Sequence, residues 1–176
     1  MGEAWGQAQE NAGEAHPARH TCADSAPEIA PLRLTPLKTA AGPLRDFGER
    51  YTAAWCSQGV AAFFSTDGSL SINGGAPAAG RDSIREVVQG FMTAFPDLVL
   101  TMDDVRVEGD RAVYHWTFAG TNTGPAGTGQ QVLFSGFEEW EIGADGLIAS
   151  SLGHFDEAGY RRQLEHGAGA AQQSST

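Results

Sequence analysis

Between Leu44 and Phe95 apolar residues recur mainly every three or four positions, and beyond Pro96 every second position. That change of period separates helices from strands. Leu44, Phe47, Tyr51 and Trp55 follow Pro43 at helical spacing, and proline is tolerated in the first turn of a helix. Gly59 interrupts, and Val60, Phe63 and Phe64 predict a short second helix. Residues 69–73 (SLSIN) alternate between flanking glycines and predict a short strand. The stretch GRDSIREVVQGFMTAFP carries a stripe of Ile84, Val87, Val88, Phe91 and Phe95. Ser83 and Glu86 there fit a capping box, and Pro96 ends the helix.

Beyond Pro96 the period is two. Strands are expected over 98–107 and 112–119, joined by a tight Gly109-Asp110 turn, with Tyr114, Trp116 and Phe118 on one face and His115 on the other. A glycine-rich loop, 120–129, reads as a hairpin loop or lid; it lacks the lysine and following helix of a phosphate cradle. In the strand 132–142, alternation sets Val132, Phe134, Gly136, Glu138, Trp140 and Ile142 on one side. Leu133, Ser135, Phe137, Glu139 and Glu141 take the other. After a turn at Ala144-Asp145-Gly146, the returning strand is expected to hold Ile148, Ser150, Leu152, His154 and Asp156 on one face, ahead of a short helix over 157–164. Helices early and strands late predict an α+β fold, with a curved, mostly antiparallel sheet whose apolar face is covered by the N-terminal helices.

Composition adds boundaries. Residues 1–41 have no sustained periodicity and are broken by Pro17, Pro27, Pro31 and Pro36, which predicts a disordered extension. The alternative is an arm bound through Ile29, Leu32, Leu34 and Leu37. One domain is expected over 42–165, followed by a polar tail over 166–176. Eleven basic against 22 acidic residues give a formal charge of −11. That balance argues against a nucleic-acid partner or an anionic membrane surface. No apolar run approaches the ~20 residues that span a bilayer, and the N-terminus lacks the pattern of a secretion signal, so the cytoplasm is the simplest compartment. Cys22 and Cys56 lie far apart and suggest neither a disulfide framework nor a zinc site.

Candidate chemistry gathers near the C-terminus. Glu138 falls between Phe134 and Trp140 on the apolar side of its strand, where a carboxylate is costly unless it has a partner or a task. There its pKa should rise by desolvation, suiting it to general acid–base work. His154 and Asp156 share an expected face and could join it, although Asp156 also suits an N-cap of the last helix. Asn73 reads as a turn residue or as a pocket amide. Tyr51 and Trp55 read as core or as pocket residues, with the Tyr51 hydroxyl a candidate donor to an oxyanion. His154 and Asp156 lack a visible third metal ligand, no Ser-His-acid signature is present, and no cofactor or metal is expected.

Three phrases carry a family resemblance: GRDSIREVVQGFMTAFPDL, VEGDRAVYHWTFAGTNTG and FEEWEIGADGLIASSLGHFD. Over residues 44–164 the chain resembles the SnoaL-like polyketide cyclase group of the nuclear transport factor 2-like (NTF2-like) superfamily. The resemblance implies a cone-shaped domain, its curved sheet wrapped around a long helix and an apolar pocket, commonly as a dimer. Its members include cyclases, ketosteroid isomerases, epoxide hydrolases, dehydratases and plain binding modules, so fold alone names no reaction. The chain departs from the cyclase pattern at the pocket acid: Leu152 and Gly153 stand where a Trp and an Asp would lie, and Glu138 where a His is often found.

The expected function is therefore a cofactor-independent cyclase or isomerase that moves a proton next to a carbonyl in an apolar substrate. Glu138, Asp156 and His154 are its expected acid–base groups, and Tyr51, Trp55, Asn73, Phe91, Phe95, Trp116, Phe134 and Trp140 its expected pocket. The alternatives are epoxide hydrolysis in the same pocket and a non-catalytic binding or dimerisation module. The expected partners are an apolar small molecule and a second copy of the chain.

Overall fold

The computed structural model describes residues 19–21, 34, 41–57 and 59–169. Among the described residues, seven strands form one open sheet in the order β1-β4-β5-β6-β7-β2-β3, with three α-helices and a short 3-10 helix. The elements run β1 (Arg19–Thr21), α1 (Ala41–Ala54), the 3-10 helix Gly59–Phe63, β2 (Phe64–Ile72), β3 (Ala78–Ala79) and α2 (Arg81–Ala94). Then follow β4 (Val99–Glu108), β5 (Arg111–Thr121), β6 (Gln131–Ile142), β7 (Ile148–Phe155) and α3 (Glu157–His166). All strand pairs are antiparallel except β2 with β7, which run parallel. This is the expected α+β cone, with helices laid on one face of a mixed sheet.

The core lies between α1, α2 and that inner face. Phe47 and Tyr51 of α1, Phe63, Tyr114 of β5 and Trp140 of β6 are fully buried. They pack edge to face, with Tyr114 and Trp140 stacked at 4.8 Å. Such aromatic pairs add stability beyond the area they bury, and here they fix α1 against the middle of the sheet. Gly136 of β6 allows a close approach in the same layer: a Cβ there would collide with the His154 carbonyl and the Trp116 ring.

Three local expectations need correction, and one stated alternative is met at a single residue, Leu34. Helix α2 is preceded by Gly80 at φ 85° with no side-chain cap, so Ser83 and Glu86 form no capping box. Residues Arg19–Thr21, inside the extension expected to be disordered, form an edge strand along β4. Leu34 is buried and donates its N–H to Gly146 O at 2.8 Å, while Ile29, Leu32 and Leu37 lie outside the described residues. Cys56 is disulfide-bonded, against the expectation from spacing; the chain's other cysteine, Cys22, lies outside the described residues.

The glycine-rich loop is fastened to α2 through Asn122, whose Nδ2 donates to Ala94 O, and through Gly124 N, which donates to the same carbonyl. No helix among the described residues is long and apolar enough to cross a membrane.

Candidate active site

The position of the candidate carboxylate follows from strand register. In β6 the inner face carries Val132, Phe134, Gly136, Glu138 and Trp140, as alternation requires, and Glu138 faces Tyr114 on one side and Gly153 on the other. Glu138 is buried, and three donors converge on its Oε2. These are the Tyr51 hydroxyl at 3.0 Å, the Trp140 indole N–H at 2.8 Å and the Ser151 hydroxyl at 2.9 Å. Among the described residues no hydrogen bond reaches Oε1, and no ion pair of Glu138 with an Arg or Lys is formed.

Two influences on its ionisation oppose each other. Burial disfavours the charge and raises the Glu138 pKa above 4.5; the donors from Trp140, Ser151 and Tyr51 favour the charge and hold that rise back. Desolvation is the larger, so the net shift is upward. The Tyr51 hydroxyl is pushed well above its usual value by burial and then by the facing carboxylate, so it stays a donor at neutral pH. Tyr114 is shifted the same way, chiefly by burial. Its hydroxyl pairs with Thr52 Oγ1 at 2.7 Å, and Thr52 in turn donates to Gly48 O.

The carboxyl group forms part of the wall of a narrow slot with a cavity volume of about 40 Å³, partly open to solvent. Trp55, in the turn after α1, and Phe91 of α2 form one side. Leu70 and Ile72 of β2 form another. The sheet contributes Leu100, Trp116, Phe118 and Phe134, and β7 closes the slot with Gly153 and Phe155. Glu138 is the one titratable side chain in that lining. Gly153 stands opposite it across the strand pair. A Cβ at Gly153 would lie 3.9 Å from Glu138 Cγ, an ordinary contact, so its absence leaves room beside the carboxyl group.

Of the expected site residues, the structure brings Glu138, Trp55, Phe91, Trp116 and Phe134 together around the slot. Tyr51 and Trp140 stand behind Glu138 and hold it instead of lining the space. Phe95 is core, packed on Phe118 and Tyr160. Asn73 adopts φ 50° in a turn, and its side-chain oxygen accepts from Phe155 N, so it is not a pocket amide.

His154 and Asp156 do not join Glu138. The β6–β7 pairing shifts register between Glu141 and Ile142, so the phase set by Ile148 is lost before Ser151. A one-residue shift turns every following side chain to the other face. Ser151, Gly153 and Phe155 therefore point inward. His154 lies outside, 2.8 Å from Glu139 Oε2 and stacked on Phe137. Asp156 caps α3 by accepting from Gly159 N at 3.0 Å. Ser151 does not stand out in the sequence for the same reason, because alternation counted from Ile148 puts it on the outer face. Among the described residues no group of three His, Cys, Asp or Glu side chains could hold a metal ion.

Comparison with known proteins agrees with this architecture. The family model described as SnoaL-like polyketide cyclase matches residues 46–164. No curated protein matches the sequence. Among solved structures, TsrD from Streptomyces laurentii is 26% identical, with 72% of this chain and 97% of that one covered at a TM-score of 0.61. A putative SnoaL-like polyketide cyclase from Jannaschia sp. CCS1 is 16% identical, covering 66% and 88% at 0.58. AclR, a putative hydroxylase from Streptomyces galilaeus, is 23% identical, covering 65% and 89% at 0.53. With the family model spanning most of the ordered domain and the cone fold in place, the chain belongs to the SnoaL-like polyketide cyclase family.

Proposed function

We propose that this protein is a cofactor-independent acid–base catalyst of the cyclase or isomerase kind, and that Glu138 moves a proton next to a carbonyl in an apolar substrate. One observation carries the reading: a single carboxyl group in an apolar slot, tied by three donors through Oε2, with no partner on Oε1 among the described residues. Because Oε2 is already the acceptor for three protons, the proton that Glu138 exchanges resides on Oε1. In the reaction, Oε1 takes a proton from the carbon beside the substrate carbonyl and an enolate forms. Where the enolate is conjugated with a carbon–carbon double bond, Glu138 returns the proton to the far carbon and the double bond shifts, which is isomerisation; otherwise the enolate carbon attacks a second carbonyl. In the second case Glu138 returns the proton to the new alkoxide, and the ring is closed with no net change in oxidation state.

Epoxide hydrolysis is less well supported, because it uses one group to activate water and another to protonate the epoxide oxygen. The slot contains one titratable group. A second copy of the chain is proposed to cover the outer sheet face, where Leu133 and Phe137 of β6 are 45% and 36% exposed on the side opposite Glu138.

The test is deuterium incorporation into 1-tetralone in D2O, followed by proton NMR. The wild-type protein is expected to accelerate exchange at the carbon beside the carbonyl. Glu138→Gln is expected to lose that acceleration by roughly 100-fold or more, the scale of general-base catalysis. Exchange retained in Glu138→Gln overturns the assignment, and binding of the ketone without any exchange identifies a binding module instead.

A further inference from the structure

Glycine weakens the interior of a strand, and its usual reasons there are a bend, a bulge, a close backbone approach or a ligand. Among the described residues four glycines lie within strands, and three of them are required by neighbouring atoms. A Cβ at Gly68 would come within 2.9 Å of the Ser65 carbonyl oxygen, and one at Gly120 within 3.1 Å of Phe95 Cβ. One at Gly136 would collide with the His154 carbonyl. Gly153 has no such reason. It is buried in β7, between β6 and β2, and pairs with Glu138 and Ile72 away from the register shifts of both ladders. Its φ is not positive. A Cβ there would lie 3.5 Å from Ser71 O, 3.8 Å from Ile72 Cγ1 and 3.9 Å from Glu138 Cγ, all ordinary contacts. With bend, bulge and backbone approach set aside, the remaining reason is the space in front of it.

That space is the slot, and it is small: about 40 Å³, where an apolar cavity that holds benzene measures roughly 150 Å³. Only the end of a larger ligand fits beside Glu138, with the remainder in the part open to solvent. At that size one methyl group on either partner decides what enters. We infer that Gly153 is the specificity-determining residue of the slot, and that its missing side chain keeps the space beside Glu138 for an unbranched end of the ligand. The carbon presented to Glu138 is then a CH2 group, and a carbon bearing further branches is excluded. Alanine at this position would meet no clash and would narrow the unfolded ensemble, so glycine here costs the fold stability. The inference rests on the slot being the ligand site and is independent of Glu138 acting as a base.

The experiment compares 1-tetralone with 2,2-dimethyl-1-tetralone, which differ only in the branches on the carbon beside the carbonyl, by NMR titration of the full chain. Wild-type protein is expected to bind the unbranched ketone roughly tenfold more tightly or better, the scale on which one methylene is felt in an apolar pocket. In Gly153→Ala the affinity for 1-tetralone should fall by a similar factor and the preference should shrink toward equality. The melting temperature of the ligand-free variant should rise or hold. A merely structural glycine would give the opposite, a lower melting temperature with the preference intact. Failure of Gly153→Ala to fold, or a lower melting temperature, therefore overturns the inference. So does equal binding of the two ketones by wild-type protein, binding of neither, or unchanged affinity for 1-tetralone in Gly153→Ala. A wild-type preference that Gly153→Ala abolishes, in protein that accelerates no proton exchange, removes the base and keeps Gly153 as the determinant.

Discussion

Glu138 sets a conflict between stability and use that its three donors only partly resolve. Its folded-state pKa is raised above 4.5 by burial. The folded protein therefore holds the proton to a higher pH than the unfolded chain does. The group's favourable contribution is complete below the unfolded value. It is lost as pH rises from about 4.5 through the raised folded value, and is constant above it. Glu138→Gln removes the ionisation and keeps the shape. Its melting temperature relative to wild type is expected to climb through that window and level off beyond it, read by calorimetry across pH. A difference independent of pH would mean that the carboxyl group is hydrated in solution.

Tyr51→Phe deletes one donor to the ionised form while leaving the ring in its aromatic cluster. A hydrogen bond to a charged group is worth about 1.5–3 kcal/mol. The variant should exchange protons roughly tenfold more slowly on the acid limb of the pH profile, with the high-pH plateau unchanged. A drop of equal size at every pH would instead assign Tyr51 to the fold alone.

At the scale of elements, β7 decides which side chains the slot receives, and it is also where the sequence was least legible. The change of hydrophobic period near Pro96 marked the passage from helix to sheet, because it is set by burial of one face. Strand β6 could be read residue by residue, since Phe134, Glu138 and Trp140 alternate without interruption. In β7 the signal is weak: Ser150, Ser151 and Gly153 carry little hydrophobic contrast, and the register shift costs no distinctive residue. Alternation counted from Ile148 therefore puts His154 on the inner face, whereas the register shift turns it outward. The disulfide at Cys56 was illegible for a different reason, because spacing along the chain says little about proximity in space.

Asp156 closes the same element and separates capping from catalysis. Its side chain satisfies Gly159 N at the start of α3 and makes a looser contact with Arg162 at 3.8 Å. Asp156→Ala should cost about 1 kcal/mol of stability, the usual worth of an N-cap, in chemical denaturation. Proton exchange by the variant should match wild type when measured well below its melting temperature, and a lower exchange rate there would return Asp156 to the site.

For the whole molecule, the two faces of the sheet divide the work. The inner face is filled by helices and the slot, while the outer face presents Phe137, stacked on His154 at 4.7 Å and packed near His115 at 5.7 Å, with Leu133 further along the strand. A single exposed apolar residue needs no explanation, but two on one strand face fit a surface that another copy completes. A two-fold contact would place the same residue on both sides, so one substitution acts twice. Phe137→Glu sets two carboxylates in that apolar contact and should convert a dimer to a monomer in size-exclusion chromatography with light scattering. Because Phe137 and Glu138 project to opposite sides of β6, the monomer should keep its slot and exchange protons at the wild-type rate per chain. If wild-type protein is already a monomer, the outer face has no such partner. If exchange falls together with the dimer, the second copy also shapes the slot from behind the sheet.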